Sequence, residues 1–221
     1  MQQKQNIKGF TILELLVVIT IVAVVSAVGY PNFMDWRKDR EVRAATEDVT
    51  SMLSSINTQA QRGYFPLVQF YVVPSVACLS NCKVKFYSKG MSQDSLSNIL
   101  NAGNPVLCTM TNSGTWNNHQ VDFSEKKISV HIADKGAVCF SKDGSYFTKE
   151  GRIKNNLNVS LEGRLTSDYI VICTTENATV TGGKCATNQA DGLVKPAYLV
   201  EWTRFGGISK FKWSGSVWTR L

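Results

Sequence analysis

The 221-residue chain contains serine, aspartate and two histidines but lacks the motifs in which such groups carry most enzyme chemistry. Its two histidines, His119 and His131, do not stand at metal-ligand spacing, and its six cysteines include no C-x-x-C pair, so a zinc site is disfavoured. No G-x-S-x-G, H-E-x-x-H, P-loop or paired-glycine nucleotide motif occurs. Catalysis is not expected, nor is a metal or cofactor. Three further absences concern topology. Residues 1–9 contain no acid, Leu15–Met34 contains no charged residue, and no cysteine precedes position 78. An acid-free start carrying Lys4 and Lys8 has the charge pattern that keeps an N-terminus cytoplasmic. Twenty uncharged residues match the length a helix needs to cross about 30 Å of hydrocarbon. Cysteines confined to the remainder fit a domain that folds in an oxidising compartment.

With 43% hydrophobic and 19% charged residues, the chain is neither disordered nor a multi-span membrane protein. About 160 residues remain after a leader and a long helix are set aside, enough to bury one core. Removing Lys4 and Lys8 with a leader lowers the formal charge from +7 to +5, a mild excess. Cys78, Cys82, Cys108, Cys139, Cys173 and Cys185 are disulfide candidates. Six cysteines allow fifteen pairings; proximity favours Cys78 with Cys82 and Cys173 with Cys185, leaving Cys108 for Cys139.

Three readings compete for the apolar segment. A secretory signal would be cut after it, at Val25-Ser26-Ala27; a plain anchor would stay uncut; the third kind is cut before the apolar run. Glu14 separates them. A carboxylate inside an apolar helix costs about 2.5–3.5 kcal/mol at mid-bilayer, so a simple anchor has no use for it. If the chain is cut between Gly9 and Phe10, the new amino terminus lies one helical turn from Glu14. The carboxylate can then pair with that cation or with the amino terminus of a neighbouring subunit.

Lys8-Gly9-Phe10-Thr11-Ile12-Leu13-Glu14-Leu15-Leu16 resembles the prepilin peptidase motif of type IV pilins and type II secretion pseudopilins. The resemblance implies that Gly9 precedes the cut, Phe10 becomes the N-methylated first residue, and Glu14 serves subunit assembly. It also implies an α+β pilin fold, in which a long N-terminal helix packs on a β-rich antiparallel head. The implied partners are other pilins or pseudopilins, prepilin peptidase and an inner-membrane assembly platform. The implied location is the inner membrane, single-pass with a periplasmic head, and then a pilus or pseudopilus. Arg40-Glu41-Val42-Arg43-Ala44-Ala45, continued to Gln61-Arg62-Gly63, is similar to the second half of the helix in the H-type pseudopilin and FimT/FimU minor-pilin group. That match implies a structural minor subunit acting in initiation or at the tip.

Gly29 and Pro31 predict a kink in the helix, because proline removes a backbone donor and crowds the preceding turn. Beyond them Val42, Ala45, Val49, Met52, Ile56 and Ala60 recur at steps of three or four, with Arg40, Arg43, Glu47, Asp48 and Ser54 on other faces. Arg62-Gly63 followed by Pro66 forms a stop signal. The expected organisation is a leader at 1–9, a helix at 10–62 and a β-rich head at 63–221. Within the helix, 10–34 is transmembrane or filament core and 35–62 is amphipathic. At 1.5 Å per residue the helix would be about 75 Å long.

In the head, β-type runs are predicted at Leu67–Val73, Val84–Tyr87, Val106–Met110, Gln120–Phe123, Lys127–Ile132, Ala137–Phe140, Asp168–Thr174, Ala197–Arg204 and Ile208–Trp213. A short helix is expected within Ser88–Gly103. Hairpins are expected around Lys142–Ser145, leading into Tyr146–Thr148, and around Gly206-Gly207. The long loop Thr174–Leu193 is a place for partner contacts. Near the C-terminus Arg204, Lys210, Lys212 and Arg220 are interleaved with Trp202, Phe205, Phe211, Trp213 and Trp218, a pattern that suits nucleic-acid backbone contact plus stacking. The same alternation suits a half-buried strand whose polar side chains face water. Some FimT-like proteins take up DNA through a Gly-Arg-x-Arg element. This chain departs from that element, with Gly207-Ile208-Ser209-Lys210 in the comparable hairpin and the nearest match, Gly151-Arg152-Ile153-Lys154, lying earlier and ending in lysine, so a DNA- or surface-binding head stands only as the alternative function.

Overall fold

A computed structural model describes residues 10–73, 84–103, 120–126, 128–132, 137–142, 146–147, 169–177, 185–203 and 207–221. The chain divides into two compact units, one up to Lys38 and one from Asp39 to Leu221. Helix α1, Ile12–Gln61, runs through the division.

In the first unit α1 is almost wholly exposed: Ile12, Leu13, Leu15, Leu16, Ile19 and Val25 are each more than half accessible. Among the described residues no single helix is long and apolar enough to cross a membrane. The pair Ile12–Ala27 and Asn32–Gln61, bent by 42° at the break between them, meets the length and composition requirements together. Gly29 stands at the break with no heavy atom within 4 Å of a Cβ built on it.

The second unit begins with the amphipathic half of α1. Val42, Ala45, Val49, Met52, Ile56 and Ala60 are all buried, as the helical spacing predicts, and Leu53 joins them. The helix ends at Gly63, whose φ of +76° suits the residue without a Cβ. Gly63 N–H donates to Ala60 O and Tyr64 N–H to Gln59 O, the two bonds of a Schellman cap.

The head is α+β, and among the described residues two antiparallel five-stranded sheets follow the helix. The first has the order β3-β2-β1-β5-β6, made of Leu67–Val73 (β1), Val84–Met91 (β2), Gln120–Lys126 (β3), Ala137–Ser141 (β5) and Tyr146–Phe147 (β6). The second has the order β10-β9-β8-β7-β4, made of Ser129–Ile132 (β4), Tyr169–Cys173 (β7), Ala197–Trp202 (β8), Ile208–Trp213 (β9) and Trp218–Arg220 (β10).

One apolar cluster joins the α1 stripe to the inward residues of both sheets, including Phe70, Phe86 and Phe140 from the first and Ile170, Tyr198 and Val200 from the second. Strand alternation makes this three-sided core: residues two apart share a face, so each strand offers every second side chain to the helix. The intervening residues build two outer clusters. Tyr169, Val171, Leu199, Phe211 and Trp213 pack under Ala186 and Leu193. Leu67, Tyr71 and Met91 pack with Leu96 and Ile99 of α2, Gln93–Asn101.

Several strands differ from expectation; β3 runs past Phe123 to Lys126, where it still pairs with Val84 of β2. β2 continues past Tyr87 to Met91, because seven residues of β1 pair with it in register from Leu67↔Met91 to Val73↔Lys85. The short helix expected within Ser88–Gly103 is α2, which starts at Gln93, where the Ser92 side chain accepts the Ser95 N–H as N-cap. β10 was not anticipated; the turn Ser214–Val217, closed by Ser214 N–H to Val217 O, folds it back onto β9. The expected strand Val106–Met110, Lys127 and the turn residues 143–145 lie outside the described residues.

Candidate functional site

The start of α1 is built by Thr11 and Glu14. Thr11 Oγ1 accepts the Glu14 N–H at 3.2 Å, and Glu14 Oε2 accepts the Thr11 N–H at 3.2 Å. This is a reciprocal capping box, with Glu14 at the third helical position satisfying a donor that the helix leaves orphaned. Its carboxylate also lies at the positive end of the helix dipole. The T-x-x-E spacing of Thr11 and Glu14 is a sequence signal for this box, a role of Glu14 additional to the expected pairing with an amino terminus. Phe10, 87% exposed, precedes the cap, and Gly9 lies outside the described residues.

The C-terminal cations have a different setting from the one the alternation suggests. Lys210 and Lys212 share the face of β9 that looks toward α1, because Lys210 pairs with Val200 and Lys212 with Tyr198, both core residues on the helix side of β8. Lys210 Nζ lies 2.7 Å from Glu47 Oε2. Lys212 Nζ lies 3.0 Å from Asp39 Oδ1, and the Tyr198 hydroxyl donates to the same oxygen at 3.0 Å. The Lys212 ammonium also sits 5.5 Å from the centre of the Tyr198 ring. Both lysines are thus paired with carboxylates two helical turns apart on α1, rather than simply facing water. Phe211 and Trp213, between and beyond them, fill the opposite cluster. Arg220 Nη2 donates to Ser209 Oγ at 3.4 Å, and Arg204 lies outside the described residues.

Two groups of this clasp titrate away from their ordinary ranges. The hydrogen bond to Asp39 raises the Lys212 ammonium, against a smaller opposing effect of burial. Burial raises the Tyr198 hydroxyl, with the Lys212 hydrogen bond pulling the other way and the Asp39 charge adding to the rise.

Cys173 is bonded to Cys185, with Cα atoms 5.9 Å apart, which ties the loop after β7 to the end of that strand. Ala186 and Leu193 of this loop are buried on the outer face of the second sheet, and Thr187 O accepts the Trp218 indole N–H at 3.3 Å. Cys139 is also disulfide-bonded. Cys78, Cys82 and Cys108 lie outside the described residues.

Among the described residues no group of three or more histidines, cysteines or carboxylates is placed to hold a metal ion. One open groove of about 460 Å³ runs beside α1, lined by Ser51, Ser54, Ser55, Thr58, Gln59, Arg62 and Tyr64.

A family model described as the prokaryotic N-terminal methylation motif matches residues 4–30. The matched span contains Gly9, Phe10, the Thr11–Glu14 cap and most of the uncharged run. It identifies a type IV pilin-like signal, which implies a membrane-anchored protein processed by prepilin peptidase and assembled with other pilins. No curated protein and no solved structure matches the chain.

Proposed function

We propose that this protein is a non-enzymatic minor pilin or pseudopilin. Prepilin peptidase cuts it between Gly9 and Phe10, and Phe10 is then N-methylated. Residues 10–34 hold it in the inner membrane with the head in the periplasm. It afterwards enters a type IV pilus or a type II secretion pseudopilus, in initiation or at the tip.

One observation carries this reading: the methylation motif opens a helix whose first half is exposed and apolar, while its second half buries a stripe in the head. A bare apolar half-helix is unstable in water and must be covered by lipid or by similar helices. Exchange of lipid for neighbouring helices loses little hydrophobic energy, so one helix serves both the membrane-held and the assembled state. The clasp supports the same division of labour, since it ties α1 to the head from Asp39 onward.

N-terminal sequencing and mass spectrometry of the mature protein test the proposal. A chain beginning with methylated Phe10 is expected. A chain beginning at Val28 would replace it with an ordinary secreted domain.

A further inference from the structure

The uncharged run Leu15–Met34 gives way abruptly to Asp35-Trp36-Arg37-Lys38. Three large rings stand across this boundary: Tyr30 is 66% exposed, Phe33 56% and Trp36 53%. Phe33 and Trp36 lie with ring centres 5.8 Å apart and planes at 35°. A step of three residues turns a regular helix by about 300°, so Phe33 and Trp36 stand about 60° apart around the axis within roughly 4.5 Å of rise, and Tyr30 lies at the break just before them. They form a partial collar rather than a stripe.

We propose that Tyr30, Phe33 and Trp36 seat α1 in the outer headgroup layer of a lipid bilayer, with Arg37 on lipid phosphate. The inference rests on the membrane-anchored reading and adds the depth at which the helix stops. Aromatic rings of this kind favour that layer because an apolar body and a polar edge are satisfied at once. The spacing fits. From Leu15 to Trp36 the helix path is about 32 Å, and the 42° bend at the break shortens it to about 30 Å end to end, close to the hydrocarbon thickness. Glu14 and its cap therefore stand at one boundary when Trp36 stands at the other. Charge agrees with this placement, since uncharged sequence ends two residues before Trp36 and a cation follows it immediately. A lipid phosphate suits Arg37, whose planar fork binds phosphate oxygens in pairs.

The test uses the full-length protein in vesicles of phosphatidylcholine and phosphatidylglycerol. Tryptophan emission is quenched with lipids brominated either near the headgroup or near the chain end, and wild type is compared with Trp36→Phe. Stronger quenching by the shallow bromines, lost in Trp36→Phe, is expected. The triple variant Tyr30→Ala, Phe33→Ala, Trp36→Ala should show a several-fold drop in vesicle partition while its head unfolds at the wild-type temperature. Vesicle binding without shallow quenching of Trp36 overturns the collar but leaves the membrane anchor standing. Failure of the wild type to enter vesicles overturns both. Protection of Trp36 only on self-association, with no lipid quenching, assigns the rings to a second copy of the chain and also overturns the collar.

Discussion

Lys212 of β9 and Asp39 of α1, 173 positions apart in sequence, form an ion pair at 3.0 Å, on the same carboxylate oxygen that accepts the Tyr198 hydroxyl. With Lys210 and Glu47 it binds the second sheet to the first two turns of helix that belong to the head.

Replacing both lysines, Lys210→Ala with Lys212→Ala, removes two partly exposed pairs. Such pairs contribute roughly 0.2–1 kcal/mol each, less where water reaches them. Thermal unfolding should therefore shift down by about 1–8 °C, and the shift should shrink in 1 M salt, where the Debye length is about 3 Å. An unchanged midpoint at low salt would show that the clasp is electrostatically neutral for the fold.

Alkaline pH should weaken the head. Lys212 is raised by its bond to Asp39, while Tyr198, Tyr169 and Tyr71 are raised chiefly by burial. Each folded-state group holds its proton to higher pH than the unfolded chain does, so its contribution is complete below about pH 10 and falls as pH rises through the folded values. Denaturant midpoints measured from pH 8 upward should be flat and then decline above pH 10. Tyr198→Phe should make that decline shallower.

Gly90 lies in the middle of a tight contact. A Cβ built on it would overlap Cγ and both Cδ atoms of the Phe65 ring. Gly90→Ala must displace the ring, at a cost of about 1–3 kcal/mol. Adding Phe65→Ala should recover part of that loss, because the two changes share one site. Additive losses in a double-mutant cycle would disprove the contact.

Thr11 and Glu14 separate capping from assembly. Thr11→Ala removes the N-cap oxygen, worth about 1 kcal/mol, and should fray the first turn while leaving the carboxylate in place. Glu14→Ala removes both the cap and the charge. Both variants should still be cleaved after Gly9 and held by the membrane. Pull-down of assembled filaments should find Glu14→Ala strongly depleted and Thr11→Ala only mildly so. Equal depletion would assign the effect to the cap alone.

The amphipathic half of α1, its stop at Gly63, the runs that became β1 and β9 and the proximity of Cys173 to Cys185 were all readable from the chain. Each rests on spacing or local chemistry: the 3.6-residue period of Val42 to Ala60, glycine at a positive φ, alternation with period two, and two thiols 12 positions apart. The motif around Gly9, Phe10 and Glu14 is local in the same sense and was read directly. Alternation in Ser209–Trp213 also showed correctly that Lys210 and Lys212 share a face. It could not show what that face meets, because period two fixes sides and not neighbours. Only the stacking of α1 on the second sheet brings Asp39 and Glu47 to the two ammonium groups. The extra length of β2 and the existence of β10 were likewise decided by partner strands, whose backbone donors and acceptors extend a ladder wherever a matching edge is offered.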